Sequence, residues 1–228
     1  MPYNRKLSRS NCCSLEMIRL RAWISFMLIT AVLVACNKTG NDKDIDRSFL
    51  TDKPCTAPCW YGLELNISSQ DEVINTLRQL SFVDQNSIQK VQGRSEDENL
   101  EELRFSCIRP EFRKCGRIVF REGKMWRITM SIGYHLTFAE TVQKLGPPSA
   151  VFLIPSVEVV GCTVSLSWPE NKIRVEGDTR LSCSKYYTPN GVKVDPSTQV
   201  DFVSYRSDLT KEMVRQEGYE PWRGFLEP

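Results

Sequence analysis

Residues 115–132 read "CGRIVFREGKMWRITMSI", and the pattern in this stretch sets the expected fold class. Two alternating runs flank Glu122-Gly123, a pair of the kind that closes a two-residue β-hairpin. In the second arm Trp126, Ile128, Met130 and Ile132 fall on one face, and Arg127, Thr129 and Ser131 on the other. A period of two with one apolar side predicts an antiparallel sheet that is buried on one face and polar on the other.

The same logic extends in both directions. Upstream, Leu103, Phe105 and Cys107 alternate with Glu102, Arg104 and Ser106. Before them "NISSQDEVINTLRQL" (residues 66–80) carries apolar residues at helical spacing, Val73, Ile74, Leu77 and Leu80. Ser68 and Asp71 are its expected capping pair, since a hydroxyl and a carboxylate three residues on satisfy free backbone amides at a helix start. Downstream, "HLTFAETVQKLG" (135–146) repeats the arrangement with Thr137 and Glu140 as cap and Phe138, Val142 and Leu145 inward, and Gly146-Pro147-Pro148 stops the helix. Cys162, Val164, Leu166 and Trp168 then alternate with Thr163, Ser165 and Ser167, a turn follows at residues 169–172, and Ile173 and Val175 continue. A strand at residues 200–205 and a short helix at 208–217, ended by Gly218, complete the chain, with "EPWRGFLEP" folded back on the core. The expected fold is α+β: two tandem helix-plus-antiparallel-sheet units, disulfide-stapled, at residues 54–133 and 134–228, the second including the C-terminal helix and tail.

The N-terminus indicates a compartment. Residues 22–35 read "AWISFMLITAVLVA", fourteen uncharged residues after Arg19 and Arg21. This is short for a membrane-crossing helix and suits the core of a signal peptide over residues 1–35. Leu33-Val34-Ala35-Cys36 resembles the lipobox of bacterial lipoproteins, which implies cleavage between Ala35 and Cys36 and a diacylglycerol on Cys36. Met17 opens a more usual leader than Met1, so translation is expected to start there, leaving Cys12 and Cys13 outside the protein. Residues 36–53 read as a solvated, lipidated tether. Its "DKDIDRSFLTDK" begins like a calcium loop, yet Arg47 stands where that loop requires glycine and Lys53 where it requires a bidentate Glu.

Six cysteines follow Cys36: Cys55, Cys59, Cys107, Cys115, Cys162 and Cys183. An even number beyond the membrane reads as three disulfides, with sequence neighbours the simplest pairing although fifteen connectivities are formally open. "KPCTAPCWYG" (53–62) then reads as a small staple that opens the domain and sets Trp60 in its core. The alternative is a thiol-disulfide or metal-handling envelope protein using Cys55 and Cys59. His135 is the single histidine and structural zinc needs four ligands, so no metal and no cofactor are expected.

Composition narrows the function classes. The full chain carries 30 basic and 28 acidic residues; removing residues 1–35 leaves 25 and 27, a net charge of −2. That balance gives no basic face for nucleic acid. A lone histidine beside Tyr134 offers no hydrolytic triad, the acidic run at residues 95–102 reads as a solvated loop, and no glycine-rich phosphate loop is present, so no catalytic residue is assigned and the protein is not expected to be an enzyme.

The lipobox, the polar tether, "PCTAPCWYG" and the closing "PWRGF" (221–225) together resemble uncharacterised bacterial lipoproteins of the Chloroflexota type, which share a Pro-Cys-Trp-x-Gly opening and a Trp-x-Gly close. The repeated unit resembles, in architecture, outer-membrane assembly lipoproteins and secreted β-lactamase inhibitor proteins. The first group has no known activity to transfer and the second gives only analogy of architecture; with no catalytic motif in the chain, the expected function is a non-catalytic binding or interaction module outside the cytosol. Such a module would be held to the cell membrane or outer membrane by its lipid, with an envelope protein or a small extracytoplasmic ligand as partner.

Overall fold

The computed structural model describes residues 45–92, 100–108, 115–155 and 161–226, all within the unit Lys43–Pro228. Numbered along the chain, its strands are β1 (Gln89–Gln92), β2 (Leu100–Phe105), β3 (Gly116–Arg121), β4 (Lys124–Ser131), β5 (Ala150–Pro155), β6 (Cys162–Trp168), β7 (Ile173–Thr179), β8 (Tyr187–Thr188), β9 (Gly191–Val194), β10 (Phe202–Arg206) and β11 (Glu220–Phe225). The α-helices are α1 (Ser48–Thr51), α2 (Gln70–Gln79), α3 (Phe138–Leu145) and α4 (Lys211–Gln216).

The β3–β4 hairpin turns at Glu122 and Gly123, both at positive φ (53° and 73°), as a two-residue hairpin turn requires. Its register contains an irregularity that alternation does not reveal. Val119 pairs with Arg127 but Phe120 pairs with Met125, so Trp126 is an extra residue on β4. Met125, Ile128 and Met130 therefore point into the core, while Trp126, expected there, is displaced to lie against the guanidinium groups of Arg121 and Arg127 at 4.7 and 4.8 Å.

Both longer helices are capped by boxes. In α3, Thr137 and Glu140 form it as read from the sequence. In α2 the pair is Ser69 and Glu72, one residue later than expected. Ser68 is taken up by the preceding turn: its Oγ accepts from the Glu64 N–H and its carbonyl from the Met125 N–H, which leaves Ser69 to cap. Val73 and Leu77 of α2 and Phe138 of α3 are fully buried.

The expectation of two tandem units is overturned. The eleven strands form one sheet in the order β1-β2-β3-β4-β10-β7-β6-β5-β11-β9-β8, antiparallel except where β11 meets β9. The decisive element is β10, which pairs with β4 on one side and β7 on the other. It joins two meanders edge to edge, so their apolar faces build one core that runs from Trp60, Val73 and Ile118 to Val164, Val175 and Tyr205. The chain just before β10 crosses Gly177 so closely that a Cβ there would lie 2.2 Å from the Gln199 carbonyl oxygen, and only glycine admits that approach.

Residues 45–53, expected as the end of a solvated tether, instead dock on the domain. Phe49 of α1 is buried, and the Asp46 carboxylate accepts from Trp60 Nε1 at 2.8 Å, Tyr61 Oη at 3.2 Å and the Ser48 N–H at 2.9 Å. Burial, reinforced by the Asp46 charge, holds the Tyr61 phenol above its ordinary range. The C-terminal segment folds back as β11, pairing with β5 and β9.

Candidate binding groove on the outer sheet face

Alternation gives the sheet two faces with different cover. The inner face carries the core and the two capped helices. On the outer face a smaller cluster of Ala150, Leu209, Val214 and Tyr219 forms with Phe152. Ala150 and Phe152 are the β5 residues that alternate with the core residues Val151 and Leu153, so α4 and Tyr219 lie over the outer face at that end. Phe152 and Tyr219 stack with ring centroids 4.9 Å apart.

An ion-paired cluster ties this cover to the sheet. Arg206 is buried and binds Asp208 through both Nε (3.2 Å) and Nη2 (2.8 Å), and Arg127 reaches the same carboxylate at 3.3 Å. Burial raises the Asp208 carboxyl, but the hydrogen bond and charge of Arg206, with Arg127, hold it below the usual carboxylate range. Burial likewise lowers the Arg206 guanidinium, and Asp208 more than restores it. Arg127 ends below its ordinary value through burial first and the charge of Arg206 second, with Arg117 adding to the effect.

Beside this cover lies a groove of about 510 Å³ over β2, β3, β4, β10 and β7, within the size range of small-molecule sites. Strand register places its side chains in rungs. Arg104 stands opposite Arg117, Arg117 opposite Thr129, Thr129 opposite Ser204 and Ser204 opposite Arg174. The next rung sets Ser131 opposite Phe202 and Phe202 opposite Glu176. The Ser204 hydroxyl donates to Thr129 Oγ1 at 3.0 Å, Arg104 Nε pairs with Glu102 at 2.5 Å, and Arg174 pairs with Glu176 at 2.6 Å. Phe202, 39% exposed, supplies an apolar wall.

Comparison with protein-family models, curated proteins and solved structures found no match. The groove therefore stands on its own chemistry: one apolar wall, hydroxyls and guanidinium groups suited to a small polar ligand.

The residues singled out from the sequence lie elsewhere. Ala35 and Cys36 fall outside the described residues. The six later cysteines pair as sequence neighbours: Cys55 with Cys59, Cys107 with Cys115 and Cys162 with Cys183, with Cα separations of 5.8, 4.9 and 5.0 Å. The first bridge is half-buried on both sides, and the Gly62 N–H points to Cys55 Sγ at 3.3 Å; Cys115, Cys162 and Cys183 are buried. Trp60, next in sequence to Cys59, is fully buried. His135 is exposed. Among the described residues no group of three or more His, Cys, Asp or Glu side chains is placed to hold a metal ion, and no helix is long and apolar enough to cross a membrane. The groove residues passed unnoticed as the polar half of each alternation. The one sequence trace they leave is arginine recurring at the outward parity of neighbouring strands.

Proposed function

We propose that this chain is a bacterial lipoprotein, anchored outside the cytosol through a lipid on Cys36, whose domain acts without catalysis as a binding module. The observation that carries the binding part is the groove on the outer sheet face, a concave surface that combines charged and hydroxyl side chains with apolar area, beside a region of the same face that α4 covers. The lipobox and leader support the anchor, and three disulfides suit an oxidising compartment. The groove's volume favours a small extracytoplasmic ligand over a protein surface.

Two measurements test this reading. Intact mass of the full chain recovered from membranes, with and without reductant, should report a lipid on Cys36 and a gain of six hydrogens on reduction. A Cys36→Ser chain that still partitions with membranes would remove the anchor. For binding, a fragment screen by ligand-observed NMR should find groove binders whose signals vanish in a Phe202→Arg variant; a domain that binds no fragment there would end the groove reading.

A second reading keeps Cys55 and Cys59 as a thiol-disulfide pair. It is favoured by that bridge's partial exposure and by the Gly62 N–H directed at Cys55 Sγ, which would steady a thiolate. A domain inert toward a model disulfide would exclude it.

A further inference from the structure

Among the described residues, the groove holds a cation that its neighbours leave uncompensated. Four charged side chains line it, Glu102, Arg104, Arg117 and Glu176. Three are neutralised in ion pairs, Arg104 by Glu102 and Glu176 by Arg174. Among the described residues Arg117 is in no ion pair. It also stands directly opposite Arg104 across the β2–β3 ladder, where like charges destabilise a sheet. Its field reaches the next strand, since it contributes to lowering the Arg127 guanidinium. Such an arrangement weakens the empty fold slightly and is relieved by an anion.

We propose that the groove takes a small ligand bearing an oxyanion, a carboxylate or a phosphate, with Arg117 as the group that receives it. This rests on the groove being a binding site, as argued above. A planar guanidinium presents paired N–H donors that match either oxyanion. Thr129, directly opposite Arg117 on β4, accepts its hydrogen bond from Ser204, which leaves the Thr129 hydroxyl proton to donate toward the same anion. Phe202, on the next rung, offers an apolar surface to the remainder of the ligand. Glu102 limits the attraction by neutralising Arg104, so the site is set for a single negative group.

The test uses the full chain in detergent micelles and calorimetric titration with three probes of one shape: phenyl phosphate, benzoate and benzyl alcohol. The two anions should bind at least tenfold tighter than the alcohol, and whichever is tighter identifies the oxyanion. Arg117→Gln should remove the preference for the anions, while Arg117→Lys should retain part of it. Glu102→Gln, which frees Arg104, should tighten anion binding several-fold, a gain that a misfolded variant cannot imitate. If the alcohol binds as well as the anions, the groove reading survives and the oxyanion inference is lost. If none of the three probes binds, both fail.

Discussion

The outer face around Arg104 and Arg117 is open, whereas the outer face around Ser165 and Ser167 lies beneath α4 and Tyr219, although both belong to strands of the same alternating pattern. The difference lies in what the outward positions hold. In β5 and β6, where the cover lies, they include Ala150, Phe152, Ser165 and Ser167, small or apolar, and both serines are fully buried. In β2 and β3 they include Glu102, Arg104 and Arg117, long charged side chains that a covering helix would have to desolvate without the counter-charge that Asp208 supplies to buried Arg206 at the covered end. A sheet with one buried face thus becomes locally two-sided where outward residues are small or apolar or their charge is met from the cover, and stays available to ligands where it is not.

The largest effect should come from attacking what fastens the covered end. Asp208→Asn leaves Arg127 and buried Arg206 without their shared carboxylate and should cost roughly 3 kcal/mol in urea unfolding. Asp208 has its folded pKa lowered, so its contribution is present above about pH 4 and is lost as pH falls through the folded value. The variant should therefore show a flatter loss of stability below about pH 4 than the parent. Gly177→Ala, at the crossing that lets β10 join the two meanders, should cost about 2 kcal/mol through the clash with Gln199. Phe152→Ala, which removes the stack with Tyr219, should cost on the order of 1–2 kcal/mol by the same measurement. On the open end, Arg117→Gln should leave the midpoint within about 0.5 kcal/mol or raise it slightly. A cost there comparable to that of Phe152→Ala would show that the two ends do not differ as described.

Much of the local architecture was legible because it is written in short-range chemistry. The Glu122-Gly123 turn, the Thr137–Glu140 box, the inward Val73, Leu77 and Phe138, and the C-terminal stop at Gly146 all depend on residues within a few positions of one another. The errors arise where a distant partner decides. Ser68 satisfies the rule for a cap as well as Ser69 does, and the choice is made by Met125, which lies on another strand. Trp126 continues the apolar parity of β4 in the sequence, yet Phe120 pairs with Met125 and the bulge pushes it out. The division into two units failed for the same reason: nothing between residues 200 and 206 announces that β10 will pair with both β4 and β7. As for the groove, its arginines are visible one by one, but their juxtaposition depends on a register that no single strand encodes.

The docking of Asp46 onto Trp60 and Tyr61 also fixes a length. If Cys36 carries the proposed lipid, the ten residues from it to Asp46 can span at most roughly 35 Å, whereas the nineteen to Cys55 could span roughly 65 Å. Under the proposed anchoring, the two hydrogen bonds from Trp60 and Tyr61 to the Asp46 carboxylate would therefore roughly halve the farthest the domain could stand from its lipid. The groove of a domain so held would sample a thin layer next to the lipid headgroups, where ligands released at that surface are still concentrated.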